Sequence, residues 1–304
     1  MGESTGSADD NLRLSGIDTK GGAMKPVLKY PGSKWNIASQ IVELIPEHHS
    51  YLEPFFGSGA VLFNKTPSNI ETINDLDLDV VNLFRCIREN PDELSRMVTA
   101  TPYSRKEYDD TYTQPATEDM DLYEKARRFL IRCWQGYGYR TNGYKVGWKN
   151  DLQGRERAYA LKKWYYLPKE INEVAERLRM VQIENRPAVE IIERFDYENV
   201  FMYLDPPYVL ETRSQKQYKH EMTDTDHEEM LKILLKSHAK IMISGYDSDM
   251  YNTYLSGWKK RTFASCAERG AFRKEIVWMN YDIERQISTF DFQECLSDVK
   301  GEKI

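Results

Sequence analysis

Short apolar segments alternate with amphipathic ones in the first part of the chain. Residues 50–56 and 70–75 have the composition of strands that end at polar positions. Residues 60–63 suit the start of a helix, and residues 77–90 carry apolar side chains at helical spacing. Strand, helix, strand, helix at this spacing predicts an α/β fold with a parallel sheet.

The same alternation returns after about residue 186. An apolar run over residues 199–204 predicts a buried strand, and residues 226–237 have the periodicity of an amphipathic helix. Further strands are predicted over residues 240–244 and 274–279. The middle of the chain therefore interrupts the α/β pattern and does not end it.

This middle part differs in charge and composition. Helical patterns over residues 122–135 and 169–180 flank a glycine-rich, loop-like stretch at residues 136–154. From Lys125 to Arg179 there are 14 Lys and Arg residues against five Asp and Glu, although the whole chain has a formal net charge of -6. Ten aromatic residues lie in the same stretch. We interpret it as a basic, aromatic insert suited to a polyanion, which the average charge conceals.

Composition excludes several classes of protein. The chain has 304 residues and is 40% hydrophobic, which is too apolar for a disordered chain, and no apolar run is long enough to span a membrane. The four cysteines form no CxxC pair and the five histidines show no metal-ligand spacing, so we predict reduced thiols and no bound metal. Residues 1–23 lack the features of a signal peptide and are predicted to be a flexible extension or leader.

A glycine turn, Glu53-Pro-Phe-Phe-Gly-Ser-Gly59, is the first candidate binding motif. Two glycines at a strand-to-helix turn let a nucleotide-like ligand approach the backbone closely. Asp75 ends the next strand, where a carboxylate can accept hydrogen bonds from two ribose hydroxyls. Leu62 stands where the dinucleotide fingerprint has its third glycine, which weakens an NAD or FAD assignment. A turn formed for tight packing explains the two glycines equally well.

The second motif, Asp205-Pro-Pro-Tyr208, directly follows the apolar strand. Because proline has a fixed φ and no N–H, two prolines force an extended turn and leave carbonyls free as acceptors. Asp205 and the Pro206 carbonyl can both accept hydrogen bonds from one amino group, and Tyr208 can stack on a planar ring. In isolation, a polar turn that ends a strand is the alternative interpretation.

The third motif, Lys29-Tyr-Pro-Gly-Ser-Lys34, lies upstream of the glycine turn. Its Pro-Gly pair indicates a turn. Lys34 offers a cation for a ligand carboxylate, and Tyr30 offers a ring for an adenine face. Alone, this segment is typical of a solvated surface turn.

In this order, and with the insert before Asp205, the three motifs resemble the Dam-type class of DNA adenine N(6)-methyltransferases, which carry the Asp-Pro-Pro-Tyr motif. The resemblance covers roughly residues 25–285. It implies an α/β fold of the Rossmann-like, S-adenosylmethionine-dependent methyltransferase class with a helical DNA-binding insert. It also implies a division of the chain into a catalytic domain at residues 24–100 and 186–290, an insert at 101–185 and a tail at 291–304.

The resemblance further implies the site, position by position. The methyl donor would be S-adenosylmethionine, with S-adenosylhomocysteine as product and no metal. The cofactor would contact Tyr30, Lys34, Glu53, Pro54, Phe55, Gly57, Ser58, Gly59, Asp75 and Asp205. The catalytic motif would be Asp205, Pro206, Pro207 and Tyr208. Ser33 stands where many members have glycine, a mild departure that should not abolish cofactor binding.

The implied chemistry explains the catalytic motif. The amino group of adenine is a poor nucleophile because its lone pair is conjugated with the ring. Asp205 and the Pro206 carbonyl, accepting from its two N–H bonds, would favour a pyramidal nitrogen whose lone pair points at the methyl group. The target base has to leave the duplex, and Tyr208 would hold the flipped ring. Asp at the first position is usual for an adenine amine, and Ser for a cytosine amine.

The insert would bind the partner, double-stranded DNA, through side chains of the types that contact bases and phosphates. The candidates are Arg132, Tyr139, Arg140, Asn142, Lys145, Lys149 and Arg155. A second basic run from Lys259 to Lys274 is expected to form a loop along the duplex. The target-recognition hairpin usual in the family looks shortened or altered, so no recognition sequence follows, although GATC is a candidate. A monomer would suffice for the chemistry and a dimer stays open; the expected location is cytoplasmic and nucleoid-associated, in a bacterial or phage-infected cell, with no membrane contact.

Four other functions remain as alternatives. An RNA adenine methyltransferase would share the glycine turn and a similar catalytic motif, but the third motif and the position of the insert favour DNA. The intact residues 205–208 disfavour a DNA-binding protein that has lost catalysis. The absent third glycine disfavours a dinucleotide oxidoreductase, and the absent paired-cysteine signature disfavours a zinc deaminase.

Overall fold

The apolar runs of the sequence form the strands of one sheet in the computed structural model, which describes residues 24–150, 159–213, 216–266 and 272–283. The predicted extension 1–23, the tail 291–304 and the candidate Arg155 lie outside these ranges. The described strands are β1 (Ser50–Glu53), β2 (Ile70–Asn74), β3 (Val181–Glu184), β4 (Val200–Leu204), β5 (Lys240–Gly245), β6 (Lys259–Cys266) and β7 (Phe272–Met279).

Helices cover the sheet and make up most of the middle of the chain. Those in the described ranges are α1 (Ala38–Val42), α2 (Leu78–Glu89), α3 (Pro91–Ala100), α4 (Arg105–Thr113), α5 (Leu122–Gln135), α6 (Tyr159–Leu178), α7 (Ala188–Arg194), α8 (Asp224–Leu234) and α9 (Asp249–Tyr254). None of these helices is both long and apolar enough to cross a membrane.

The sheet has the strand order β3-β2-β1-β4-β5-β7-β6. The pairs from β3 to β5 are parallel, whereas β7 runs antiparallel to both β5 and β6. The order of the parallel strands reverses between β1 and β4. In open α/β sheets, ligands bind in the crevice outside the carboxyl ends of the strands at such a reversal.

Both faces of the central strands are covered, as near-continuous apolar strands require. All four residues of β1 and all five of β4 are buried. Because successive side chains of a strand point to opposite faces, Tyr51 and Phe201 pack in the core beside α2 and α5, whereas Leu52 and Met202 pack with α7 and α8. The ends of β1 and β4, where two of the motifs begin, are therefore rigidly held.

The helices of the middle segment are anchored to the sheet. Trp134 of α5 donates a hydrogen bond from Nε1 to the carbonyl of Val27 at 2.8 Å. Near the end of α6, Arg177 pairs with the buried Glu71 of β2, which also pairs with Lys65 at 2.5 Å. The basic segment is thus fixed relative to the strand ends.

Most of the elements predicted from periodicity are confirmed, namely β1, β2, β4, β5, β7, α2, α5 and α8. Helix α6 extends beyond its predicted start and begins at Tyr159. It contains Pro168, whose carbonyl accepts hydrogen bonds from Ser95 and Asn172.

Two expectations are wrong, and one strand was not predicted. Residues 60–63 form consecutive turns and not the start of a helix. The described residues of the basic run from Lys259 to Lys274 lie in the antiparallel strands β6 and β7 and not in a loop. Strand β3 was not predicted because Val-Gln-Ile-Glu is short and half polar; it pairs with β2, so the sheet reaches into residues 101–185. The division of the chain into catalytic domain and insert stays a prediction.

Candidate active site

Three acidic residues lie at the carboxyl ends of neighbouring parallel strands. Glu53 ends β1, Asp75 follows β2 and Asp205 follows β4. They meet at a cleft of about 300 Å³, a volume at the lower end of the range for ligand pockets. The cleft brings together nine of the predicted cofactor-binding residues: Tyr30, Lys34, Glu53, Pro54, Phe55, Gly57, Ser58, Asp75 and Asp205. Gly59, the tenth, does not line it.

The two glycines of the turn have different surroundings. Both have positive φ, 50° at Gly57 and 68° at Gly59. A Cβ on Gly57 would lie 3.1 Å from the Tyr30 ring, at the wall of the cleft. A Cβ on Gly59 would overlap the buried rings of Phe56 and Phe63. Gly57 therefore leaves room for a close approach to the backbone, whereas Gly59 lets the turn pack on the core.

Asp75 holds the glycine turn from the neighbouring strand. Its Oδ2 accepts a hydrogen bond from the Gly57 N–H at 2.8 Å, and its Oδ1 accepts one from the Asp77 N–H at 2.9 Å. Burial raises the pKa of Asp75 to about 7, although both N–H groups favour the charged form. Asp77 also lines the cleft, and its buried Oδ2 has no hydrogen-bond partner among the described residues.

Glu53 is a second buried carboxyl in the cleft. Its Oε2 accepts a hydrogen bond from the Tyr51 hydroxyl at 2.8 Å. Burial raises the pKa of Glu53 to about 8, and the charge of Asp205 acts in the same direction. Two carboxyls that titrate near neutral pH favour a ligand that brings positive charge or hydrogen-bond donors.

Asp205 is held by a hydrogen bond to each of its oxygens. Lys34 Nζ lies 2.9 Å from Oδ2, and Ser244 Oγ donates to Oδ1 at 2.8 Å. Lys34 is only 4% exposed and also donates to the Gly32 carbonyl at 2.5 Å. Burial lowers the pKa of Lys34, but the Asp205 and Glu275 carboxylates outweigh this and leave it above its usual value. Lys34 is therefore a fixed cation that orients Asp205.

Tyr208 lies beside this pair and is itself buried. Its hydroxyl donates to Glu275 Oε2 at 2.7 Å, and Lys34 Nζ lies 4.8 Å from the centre of its ring. The ring of Tyr246 meets that of Tyr208 edge-on, with 4.6 Å between ring centres. Lys34 thus contacts both Tyr208, the last residue of the second motif, and Asp205, its first residue.

The chemistry of this cleft fits S-adenosylmethionine. That molecule carries ribose hydroxyls and an ammonium group as donors, a sulfonium cation and a carboxylate. Asp75 and Asp77 supply acceptors, including the partnerless Asp77 Oδ2, and Glu53 supplies a further carboxyl. Lys34 supplies the cation, and Tyr30 a ring face beside Gly57. Within the described part of the chain, no group of His, Cys, Asp and Glu side chains is arranged to hold a metal.

The predicted DNA-binding residues divide into two groups. Tyr139 is buried and meets the Phe129 ring at 5.6 Å, so we withdraw it as a DNA contact. Arg132 is mostly buried and lies 3.4 Å from Asp79. The others in the described ranges stand further out: Arg140 lies over the Tyr144 ring, Asn142 is exposed, Lys145 pairs with Asp109, and Lys149 lies over the Tyr159 ring.

The glycine-rich loop that carries these residues is bonded to the segment that follows the catalytic motif. Thr141 donates from its N–H to the Gln217 carbonyl at 2.9 Å, and its hydroxyl accepts from the Lys219 N–H at 2.7 Å. Glu221 accepts from the N–H of Gln217 and pairs with Arg213. Arg213 in turn donates to the Tyr208 carbonyl at 2.7 Å, so the contacts run from the loop to the catalytic motif.

Six residues of the site were not predicted from the sequence. They are Asp77, Arg213, Tyr218, Ser244, Tyr246 and Glu275. Three of them lie on β5, directly after it or on β7, and only the pairing of these strands next to β4 brings them to the motif. The one usable signal was Glu275, a charged residue beside the apolar run Ile276–Met279.

The strand order and the cleft at the ends of β1 and β4 define a Rossmann-like fold of the kind found in S-adenosylmethionine-dependent methyltransferases. The sequence pattern of one family, the D12 class N6 adenine-specific DNA methyltransferase, matches residues 30–301. The chain belongs to this family. Membership means that the protein is an adenine-specific methyltransferase that acts on DNA, and it implies S-adenosylmethionine as the methyl donor.

Several characterised proteins are similar to the chain. The Type II methyltransferase M.MjaIII of Methanocaldococcus jannaschii is 28% identical over 85% of this chain and 99% of its own length. The Type II methyltransferase M1.LlaDCHI of Lactococcus lactis subsp. cremoris is 28% identical over 65% of this chain and 71% of its own. The DNA adenine methylase of Escherichia coli K12 is 23% identical over 82% of this chain and 91% of its own.

Proposed function

We propose that the protein methylates the exocyclic N6 amine of adenine within a specific short sequence of double-stranded DNA, with GATC as the first candidate target. The observation that carries the proposal is Asp205, fixed at the end of β4 by Lys34 and Ser244 beside the cleft. The similarity to proteins named DNA adenine methylase supports the same substrate.

The chemistry assigned to the catalytic motif follows from its acceptors. S-adenosylmethionine, when bound, supplies an electrophilic methyl group. Asp205 accepts a hydrogen bond from one N–H of the target amine, and the Pro206 carbonyl accepts from the other. Because Lys34 and Ser244 already hold the carboxylate, it does not have to reorganise when the amine arrives. The two acceptors orient the nitrogen lone pair, and Tyr208 provides the surface on which the flipped adenine stacks.

The cofactor is assigned to the cleft between the glycine turn and Asp205. Asp75 and Asp77 accept hydrogen bonds from its donors, while Lys34 offers a positive charge to its carboxylate. Gly57 gives the ligand access to the backbone of the turn. Glu53 lies among them as a carboxyl whose pKa burial raises to about 8, so that a cationic ligand would favour its ionised form.

The DNA partner is assigned to the loop of Arg140, Asn142, Lys145 and Lys149. Its bonds to the segment at residues 216–219 support this assignment, because a ligand on the loop would act on the segment next to the catalytic motif. Base contacts are expected of Arg140 and Asn142, and phosphate contacts of the two lysines.

The direct test is methylation of unmodified duplex DNA by the purified protein, followed by mapping of every modified adenine. We expect one short sequence to be modified throughout. Scattered methylation without a common sequence would contradict target specificity, and modification of RNA but not of duplex DNA would favour the RNA alternative. A target other than GATC would change only the candidate target sequence and would leave the rest of the proposal unchanged.

Binding of S-adenosylmethionine near pH 7 is expected to release protons, about half a proton or more per site. Asp75 and Glu53 have pKa values raised to about 7 and about 8, so the free protein holds protons there at neutral pH. A positively charged ligand lowers both pKa values and drives these protons off. In the free protein, the same two groups stabilise the fold less as pH rises through this range.

Calorimetry in two buffers of different ionisation enthalpy measures this release. S-adenosylhomocysteine lacks the sulfonium charge and serves as the matched control, with a smaller release expected. Equal binding enthalpies in both buffers for S-adenosylmethionine would contradict the assignment of these carboxyls to the cofactor site.

Replacing both Lys145 and Lys149 with Ala is expected to weaken DNA binding more at low than at high salt. Each phosphate contact contributes about 0.9 to the slope of log K against log salt, so the slope should fall by about 1.8. Asp109, the carboxylate that pairs with Lys145 in the free protein, is partly exposed, so this ion pair is exchanged for phosphate at little cost. Lys236→Ala, an exposed site outside the insert, is the control, and an unchanged slope in the double variant would exclude phosphate contacts there.

A further inference from the structure

A buried carboxyl faces the catalytic motif from β7. Glu275 is 6% exposed and precedes four buried apolar residues, Ile276–Met279. Burial of a carboxyl is unfavourable unless it is hydrogen-bonded, and an apolar side chain of similar size usually stabilises a buried position at least as well. Fold stability alone therefore does not account for Glu275.

The partner of Glu275 is the last residue of the catalytic motif. Its Oε2 accepts the hydrogen bond of the Tyr208 hydroxyl at 2.7 Å. At the other end of Tyr208, Arg213 donates to the backbone carbonyl at 2.7 Å. Lys34 and Tyr246 contact the ring itself. Among the described residues, Glu275 thus holds the hydroxyl end of the Tyr208 ring.

Other charges around Glu275 support this arrangement. Burial raises the pKa of Glu275, while Lys34 and the hydrogen bonds from Tyr208 and Tyr246 act against burial. Whether it is charged or neutral, the carboxyl keeps an acceptor oxygen for the tyrosine hydroxyl.

We propose that Glu275 is a positioning residue, which holds the hydroxyl end of the Tyr208 ring in place and so presents a preformed stacking surface to the flipped adenine. This inference rests on the proposed function, because that function gives the Tyr208 ring its task. Glu275 touches neither base nor cofactor in this role and acts through Tyr208.

Two variants of similar size distinguish the effect of the hydrogen-bond acceptor from the effect of side-chain volume. Glu275→Gln keeps an oxygen that accepts from Tyr208, whereas Glu275→Met fills the same space without one. We expect Glu275→Met to lower kcat for DNA methylation by about 100-fold through misplacement of the ring, with the KM for S-adenosylmethionine unchanged. Glu275→Gln is expected to restore the rate to within about fivefold of the wild type.

A double-mutant cycle with Tyr208→Phe tests whether Glu275 acts through the tyrosine. Phenylalanine has no hydroxyl to be held, so Glu275→Met should cause little further loss in the Tyr208→Phe background. Losses that multiply independently would overturn the proposal, because they would mean that Glu275 acts elsewhere. Glu170→Gln is the control, since this carboxyl is also buried but does not line the cleft; it is expected to keep the wild-type rate.

Crystal structures of the wild type and of Glu275→Met give a readout that does not depend on activity. The Tyr208 ring is expected to rotate or to show more than one position in the variant. A ring in the wild-type position would overturn the proposal. If the wild type transferred no methyl group to DNA, the proposed function would fail, whereas the ring positions in these two structures would still decide whether Glu275 holds Tyr208.

Discussion

Asp205→Asn is expected to reduce the rate of methyl transfer to DNA by at least about 100-fold while the protein stays folded. Asparagine has the size of aspartate but no charge, and one of its two terminal atoms is a donor. Because the buried Lys34 requires an acceptor, the amide oxygen will face Lys34 Nζ. The target amine then loses the anionic acceptor that orients its lone pair.

The Asn variant tests this more sharply than an Ala variant. Asp205→Ala would remove the ion-pair partner of the buried Lys34 and leave the Gly32 carbonyl as its hydrogen-bond acceptor, and removing one partner of a buried ion pair costs about 3–5 kcal/mol. Loss of activity could then reflect loss of fold. Asp196→Asn is the matched control, because Asp196 also accepts from a serine hydroxyl and a backbone N–H but does not line the cleft. A wild-type rate of methyl transfer in Asp205→Asn would mean that the Asp205 carboxylate is not required for the reaction.

Gly59→Ala is expected to lower the free energy of unfolding by about 3 kcal/mol or more, whereas Gly57→Ala acts mainly on cofactor affinity. Both substitutions place a side chain at positive φ, which costs about 1–2 kcal/mol. At Gly59 the new methyl group also overlaps the rings of Phe56 and Phe63 inside the core. At Gly57 the nearest atoms to the new methyl group belong to the Tyr30 ring, the closest at 3.1 Å, and the methyl group narrows the cleft.

The two glycine variants control for each other. Urea denaturation gives the free energies of unfolding, and titration calorimetry gives the Kd for S-adenosylmethionine. We expect Gly59→Ala to lose more free energy of unfolding than Gly57→Ala. For each variant, the lost free energy of cofactor binding is divided by the lost free energy of unfolding, and we expect this ratio to be larger for Gly57→Ala. The reverse order would contradict the assignment of Gly57 to the ligand and of Gly59 to packing.

The parallel core and the cleft follow from local patterns in the sequence. The apolar runs that became β1, β2 and β4 are short, strongly hydrophobic and end in polar residues. Because adjacent parallel strands end at the same edge of a sheet, Glu53, Asp75 and Asp205 had to meet if the strands paired. The sequence left open whether the two glycines bind a ligand or permit packing. In the structure Gly59 packs against Phe56 and Phe63, whereas Gly57 lines the cleft, so ligand binding stays a prediction for Gly57.

The rest depends on contacts between distant parts of the chain, which leave little local signal. Ser244 and Glu275 reach Asp205 and Tyr208 only through the pairing of β4, β5 and β7. In the insert, too, the local sequence pattern was not enough to predict burial, because a glycine-rich loop has no periodicity that distinguishes buried from exposed side chains. Tyr139 was therefore assigned to DNA although it packs in the core.

Mass spectrometry of nucleosides tests the central claim most directly. Unmodified duplex DNA is incubated with the protein and S-adenosylmethionine labelled in its methyl group, and is then digested to nucleosides. The proposed function predicts that the label appears in N6-methyladenine, that it depends on Asp205, and that it is absent from methylated cytosines. Label in cytosine, or no label in DNA from a folded protein that binds S-adenosylmethionine, would contradict it.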